Sequence, residues 1–426
     1  MVDVAKVRMY GLTVGTFSWN SRYDVAHFEY DDDFINKGLE PSPIMMPVRQ
    51  GRIYTFGSLD KDTFKGLPGM LADSLPDTYG RTLFDRWLSL TGRRVSNSIE
   101  MLCFLGNRCM GALEFEPALS ASIGEDKTIE IDSLVEVAKE ALSEKNEFAT
   151  NINNDRKAAI ADILRLGTSA GGQRAKAIIA YNKTTGEVRS GQVEVPEGFD
   201  YYLIKLDGVS AKAGFKDTEN FGRLEYSFYK LIRECGIDMT DCSLLEENGR
   251  AHFLTKRFDR ESGKKVHMQT LCGIAHYDYR IHRAYSYEQA FNVMRTLRLP
   301  YSEAQEMFRR IVFNVILRNQ DDHTKNISFL MDEKGKWRLS PAYDMGYAYN
   351  PNGGWTATHQ MSINGKFDNI TRQDLIECAA KNNIKEANEI IDQIKEVASN
   401  WGNIALECGV PKEMVNSITP NLLLDI

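Results

Sequence analysis

The residues best suited to chemistry lie between Asn314 and Met345, in the run NVILRNQDDHTKNISFLMDEKGKWRLSPAYDM. Asp321, Asp322, His323, Lys325 and Asn326 crowd into a polar loop after a strongly apolar helix end, and Asp344 follows a short hairpin. A site that moves a phosphoryl group needs a carboxylate to orient or deprotonate the attacking hydroxyl. It also needs oxygen ligands for Mg²⁺, which takes carboxylates, amide oxygens and water. Asp and Asn in loops are commonly turn formers that bond their own backbone. That account serves any one of these residues alone and serves the cluster poorly.

The spacing Asp-x-x-x-x-Asn is that of the kinase catalytic loop, and Asp344-Met345-Gly346 stands where such enzymes carry their metal-binding Asp. The elements that must position these groups are legible on either side. A helix from Ser302 places Met307, Phe308, Ile311, Val312, Val315 and Ile316 at core spacing and aims the loop. Upstream, LGTSAGGQRAKAIIAY (166–181) is a small-residue loop running into a strand at Ala177–Ala180. Gly167, Gly171 and Gly172 would let backbone N–H groups approach phosphates. The same composition suits an ordinary turn, and the stretch is neither a Walker A motif nor G-x-G-x-x-G. Its hydroxyls are Thr168 and Ser169.

YYLIKLD (201–207) is an apolar strand with Lys205 inside it. An ammonium in such a strand must meet an anion or snorkel to solvent. Kinases set their ATP-contacting Lys on a strand after a glycine loop. A helix over 220–235 buries Leu224, Phe228, Leu231 and Ile232, with Glu225 where a partner for Lys205 could sit.

The remaining pattern completes an α/β (α+β) chain. Residues 4–56 alternate as short strands around Val7, Met9, Val14, Phe17, Val25 and Phe28, with His27 a satisfied, half-buried residue. Residues 66–92 break at Pro68 and Pro76, then form a helix burying Leu83, Trp87, Leu88 and Leu90. Asp73, Ser74 and Asp77 there serve caps and turns. A charged helix covers Ile131 to Leu142. Strands at 251–258 and 266–272 flank the turn ESGKK, and the rest is mostly helical, over 286–298, 302–318, 371–382 and 384–401. The last of these carries Ile390, Ile391, Ile394 and Val397 as a core stripe. These readings divide the chain into a β-rich module at 1–120, a nucleotide-binding lobe with the glycine loop at 121–270 and a helical lobe with the catalytic loop at 271–426.

Composition sets the outer bounds. A chain of 426 residues with 42% hydrophobic and 26% charged residues holds two or three soluble domains. No apolar run reaches the roughly 18 residues of a membrane span, and the opening MVDVAKVRMYG has no signal-peptide core, so a cytoplasmic location without membrane contact is expected. Seven scattered cysteines without C-x-x-C imply a reducing compartment and no zinc site. A net charge of −7 argues against nucleic acid gripped over the whole surface, although a local basic patch is compatible with it.

GTSAGGQRAKA, YLIKLD, LTKRFDR, NQDDHTKNISFLM and LSPAYDMG, together with GLPGMLADSLPD, resemble the HipA family of bacterial serine/threonine kinases, toxin components of toxin–antitoxin pairs. The resemblance runs over nearly the whole chain. It implies a two-lobed protein-kinase-like fold acting on a protein substrate with ATP and Mg²⁺. It makes Asp321 the catalytic Asp and Asn326 and Asp344 the metal ligands. Lys205 contacts the ATP phosphates, His323 lies in the nucleotide site, and the backbone around Lys256 and Phe258 borders adenine. Gly171 and Gly172 belong to the phosphate loop. Ser169, or Thr168 beside it, is the loop hydroxyl whose phosphorylation silences the kinase. A HipB-like helix-turn-helix antitoxin is the implied partner, carrying the pair to operator DNA. One departure is that Thr270-Leu271-Cys272-Gly273 stands where the family often has an acidic residue and a Gln. Two other readings use the same lobes: a small-molecule kinase, and a catalytically silent pseudokinase corepressor. The complete set Lys205, Asp321, Asn326 and Asp344 argues against the second.

Overall fold

The structure, a computed structural model, describes residues 2–76, parts of 80–95, and 97–119, 130–142, 174–191, 195–210 and 219–426. Gly171, Gly172, Thr168 and Ser169 lie outside the described residues, as do Asp77, Leu83, Trp87 and Leu90. The chain divides into two compact units. The first comprises residues 1–40, 48–222 and 242–268, and the second 41–47, 223–241 and 269–426.

The first unit holds two five-stranded antiparallel sheets. In the first sheet, β1 (Val4–Met9), β2 (Leu12–Asn20), β3 (Val25–Tyr30), β4 (Ile53–Tyr54) and β5 (Glu114–Glu116) run in the order β4-β3-β2-β1-β5. Period-two alternation puts Val7, Met9, Phe17, Phe28 and Phe115 on one buried face, covered by helix α1 (Ser98–Leu105). His27 is satisfied, as expected, by Asn20 at 3.1 Å and Thr55 at 2.5 Å.

In the second sheet, β6 (Arg174–Tyr181), β7 (Val188–Ser190), β8 (Asp200–Ser210), β9 (Cys242–Glu247) and β10 (Arg250–Lys256) run in the order β7-β6-β8-β10-β9. Helix α2 (Ile131–Leu142) packs on β8. Gly222 permits a close approach, because a Cβ there would stand 1.8 Å from the Ala251 carbonyl oxygen.

A buried ion cluster joins the two sheets. Asp259, fully buried, accepts from Arg257 at 2.8 and 2.7 Å, from Arg260 at 3.0 Å and from the Gly111 backbone N–H at 2.7 Å. Arg260 in turn donates to the carbonyls of Gly111 and Cys109. Gly111, at φ +75°, is the residue that fits, since a Cβ there would meet the Met268 backbone nitrogen at 3.0 Å. Burial alone would raise the Asp259 pKa. The two guanidiniums and their hydrogen bonds outweigh that and hold the carboxyl well below the usual range. A depressed folded pKa means that the stabilisation is present at neutral pH and is lost only as the pH falls through the folded value.

The second unit is mainly helical: α3 (Phe221–Glu234), which starts at the boundary, α4 (Leu271–Ala275), α5 (Tyr287–Thr296), α6 (Tyr301–Ile316), α7 (Arg372–Lys381) and α8 (Ala387–Ser399), then two short helices to Ile418. The expected stripe of α6 is fully buried, and α6 packs on α8, where Ile390, Ile391 and Ile394 are buried. Ala398 completes that second stripe and Val397 is only half-buried, as a 3.6-residue period dictates. Leu271 and Cys272 were expected in a strand. The strand ends at Thr270, whose hydroxyl accepts from the Gly273 N–H at 3.0 Å and so caps α4.

Replacing Asp259 by Ala strands two buried guanidiniums. Urea unfolding should show a loss of about 3–5 kcal/mol, and a variant as stable as the parent would remove the cluster as the tie between the sheets.

Candidate active site

The catalytic-loop candidate begins where α6 stops. Arg318 takes a left-handed φ of +56° and breaks the helix. Its carbonyl accepts from the Ala348 N–H at 3.0 Å, and the Gln320 N–H donates to the Ala348 carbonyl at 3.1 Å. The segments before Asp321 and after Asp344 are therefore clamped side by side. The clamp is closed from behind by the Arg318 guanidinium on the Asn421 carbonyl at 2.9 Å and by Asn421 on the Tyr347 hydroxyl at 3.1 Å.

Asp321 and Asp322 have opposite environments. Asp322 is 3% exposed and fully engaged. Its Oδ2 accepts from the Tyr287 hydroxyl at 2.8 Å and from the His359 ring at 2.8 Å, and its Oδ1 accepts from the Gln360 N–H at 2.7 Å. A carboxylate only accepts, so His359 Nδ1 carries the proton in this bond. The network continues from Tyr287 to Asn314 at 3.0 Å and from Asn314 to Asn319 at 2.9 Å. Burial, and then the Asp322 charge, push the Tyr287 hydroxyl well above its ordinary pKa and keep it a donor.

Asp321 keeps 43% of its side-chain surface. Its Oδ1 accepts from the Trp355 indole N–H at 2.8 Å and lies 3.8 Å from His323 Nε2. Its carboxyl pKa is raised, first by crowding of its remaining sides and further by the charges of Asp344 and Asp322, against the pull of His323 and the indole N–H.

The other candidates gather around it. Asn326 ends a 3₁₀ turn, Thr324–Asn326, and its side-chain N–H donates to the Asp321 carbonyl at 2.8 Å. The amide oxygen, the atom a hard cation takes, is thereby turned the other way. The Tyr343 hydroxyl donates to the Lys325 carbonyl at 2.6 Å and also bonds Ser328, fixing the residue before Asp344 to the loop. Asp344 itself is exposed, with a left-handed φ of +54°. The hairpin between them pairs Phe329 with Leu339 and Met331 with Trp337. His323 lies against Tyr279 at 5.2 Å, and Lys325 lies over the same ring at 5.0 Å. Among the described residues no group of three or more His, Cys, Asp or Glu forms a metal cage. One carboxylate and one amide oxygen suit Mg²⁺, which keeps most of its shell as water and phosphate oxygens.

Lys205, Lys256 and Phe258 belong to the first unit. Lys205 lies half-buried on β8, directly across the ladder from Lys176 on β6, which is 1% exposed. Like charges facing one another across a sheet repel. Lys176 was not singled out from the sequence, where it stands as one charge among several after the small-residue loop. Lys256 ion-pairs with Asp200 at 2.8 Å at the edge of a cleft of about 330 Å³ that Arg257 and Tyr201 also line, while Phe258 is half-buried. Asp207, two residues after Lys205, accepts from the N–H groups of Asn220 and Phe221 at 3.1 Å each, so the YLIKLD motif also fixes the start of α3.

The adjacent aspartates should respond differently to mutation. Asp322→Ala leaves three buried donors without an acceptor and should cost about 2–5 kcal/mol in urea unfolding. Asp321→Ala should cost no more than about 1 kcal/mol. Equal losses would contradict this division of roles.

Residues 5–116 match the family described as HipA N-terminal domain, and residues 168–401, more than half the chain, match HipA-like C-terminal domain. A Haemophilus influenzae protein named "Putative kinase" is 27% identical over 134 residues, covering 28% of this chain and 39% of that one. "Putative kinase Y4dM" of Sinorhizobium fredii is 26% identical over 195 residues, covering 42% of this chain and 46% of that one. The chain thus spans less than half the length of these relatives. HipA of Shewanella oneidensis MR-1, solved in a toxin–antitoxin complex with HipB and its operator DNA, superposes with a TM-score of 0.68 at 17% identity, covering 98% of this chain and 94% of that one. That likeness identifies the fold as α/β and protein-kinase-like. With both domain families matched in order along its length, the chain belongs to the HipA family.

Proposed function

We propose that this chain is a serine/threonine protein kinase that moves the γ-phosphoryl group of ATP to a protein hydroxyl. The observation that carries the reading is the constellation on one clamped loop pair. Asp321 is half-exposed, Asn326 is anchored on the Asp321 carbonyl, and Asp344 lies near enough to raise the Asp321 pKa. Asn326 Oδ1 and the Asp344 carboxylate would hold Mg²⁺, which when bound neutralises charge on the phosphates. Asp321 would orient the acceptor hydroxyl and take its proton. Lys205, with Lys176 beside it, would bind phosphate oxygens. His323 would line the nucleotide site, and the backbone around Lys256 and Phe258 would border adenine.

Family membership supports a toxin role with a HipB-like helix-turn-helix partner that contacts operator DNA. It also supports silencing by phosphorylation of Ser169 or Thr168, in a loop with Gly171 and Gly172. A cytoplasmic site of action fits these partners. No helix among the described residues is long and apolar enough to cross a membrane.

Transfer of labelled phosphate from ATP into a lysate, with the labelled protein identified, tests the reaction. Asp321→Asn should keep ATP affinity and lower transfer by about 10²- to 10⁴-fold. Asp344→Ala should also lose Mg²⁺-dependent nucleotide binding. Lys205→Met should lose ATP binding with an unchanged melting temperature in the absence of nucleotide. Parental turnover in the Asp321 or Asp344 variant would sink the assignment.

A further inference from the structure

The Trp355 indole sits on the carboxylate that the proposed reaction depends on, and a closed circuit of contacts keeps it there. Its Nε1–H donates to Asp321 Oδ1 at 2.8 Å. Its carbonyl accepts from the Gln360 side chain at 2.5 Å, and that side chain also donates to the carbonyls of Gln320 at 3.2 Å and Thr358 at 2.9 Å. The Gln360 backbone N–H donates to Asp322, the residue after Asp321. The chain therefore returns from Asp321 through Asp322, Gln360 and Trp355 to Asp321. The indole face stacks on His282, with ring centroids 5.3 Å apart and planes 27° apart. Gly353 and Gly354, at φ +102° and +91°, supply the turn that brings the ring back.

Both close contacts of the Asp321 side chain fall on one oxygen. The indole N–H and His323 Nε2 face Oδ1, and among the described residues no hydrogen bond engages Oδ2. An aspartate carboxylate on its single methylene rotates freely in water. Here the donor fixes which oxygen is presented. The tryptophan is 37% exposed, and the bond to Asp321 and the stack on His282 hold it in place.

We propose that Trp355 is a positioning residue for phosphoryl transfer, holding Asp321 Oδ1 so that Oδ2 faces the acceptor hydroxyl. As the hydroxyl oxygen forms its bond to the γ-phosphorus, the bond from that phosphorus to the bridging oxygen of ADP breaks. ADP leaves with the electron pair and the hydroxyl proton passes to Oδ2. This rests on the kinase reading above.

The test is steady-state transfer by Trp355→Phe, which keeps an aromatic ring on His282 and loses the N–H, alongside His282→Ala, which keeps the N–H and loses the stack. A misplaced base costs on the order of 10²-fold. Accordingly, kcat of Trp355→Phe should fall by about that factor while KM for ATP and for the acceptor, and binding of a non-hydrolysable ATP analogue, stay within about twofold. His282→Ala should fall in kcat by a smaller factor, again with KM kept. Parental kcat in either folded variant overturns the proposal while leaving the kinase reading intact. So does a rise in kcat, which would make the indole an obstruction, or a rise confined to the acceptor KM, which would make it a docking surface. A parent protein that transfers no label, like its Asp321→Asn variant, ends the kinase reading and this proposal with it.

Discussion

A carboxylate taken out of water must be met by donors, and Asp322 imposes that condition on the region around it. Its two oxygens draw in the Tyr287 hydroxyl from α5 and the ring of His359 and backbone of Gln360 from a segment nearly forty residues downstream. Asn314 and Asn319 extend the same network back into α6. Three stretches that share no local sequence preference are therefore held in one arrangement. Adjacent side chains on a non-helical stretch diverge, so burying Asp322 turns Asp321 outward, where a base can meet a substrate.

Backbone strain marks the two ends of the same region. Arg318 and Asp344 both take left-handed φ without being glycine, at about 1 kcal/mol or more apiece. Each is over-determined by its neighbours. Arg318 is fixed by the mutual bonds with Ala348 and by its guanidinium on Asn421, and Asp344 by the Tyr343 hydroxyl on the Lys325 carbonyl. The hairpin Ser328–Met331 with Trp337–Leu339 is short enough to keep those two constraints in register.

What could be seen in the sequence follows the range of the forces involved. The α6 stripe, the alternation of β1 to β3 and the hairpin after the loop are periodic and local, and they stand where the pattern put them. Asp321, Asn326 and Asp344 drew attention through spacing alone, and the structure places them on one clamped loop pair. Asp322 was indistinguishable from Asp321 by type, because only burial separates them. Trp355 is 34 positions from its partner, and an isolated aromatic in a glycine-rich turn carries no period to follow. The α4 start was misplaced because VHMQTLC alternates well enough for a strand, while one hydroxyl, that of Thr270, decides for a helix. The loop with Thr168, Ser169, Gly171 and Gly172 lies outside the described residues.

The buried cluster around Asp259 bears on how such chains diversify. Gly111 falls in the stretch matched as the HipA N-terminal domain, and Arg257, Asp259 and Arg260 fall in the stretch matched as the C-terminal domain. The line that sequence comparison draws between two families thus has a desolvated charge cluster reaching across it. A lineage that exchanged its first 116 residues for those of a distant relative would inherit a guanidinium and a carboxylate fitted to a backbone it no longer had. An exchange at that seam keeps the desolvated charges paired only when both faces travel together.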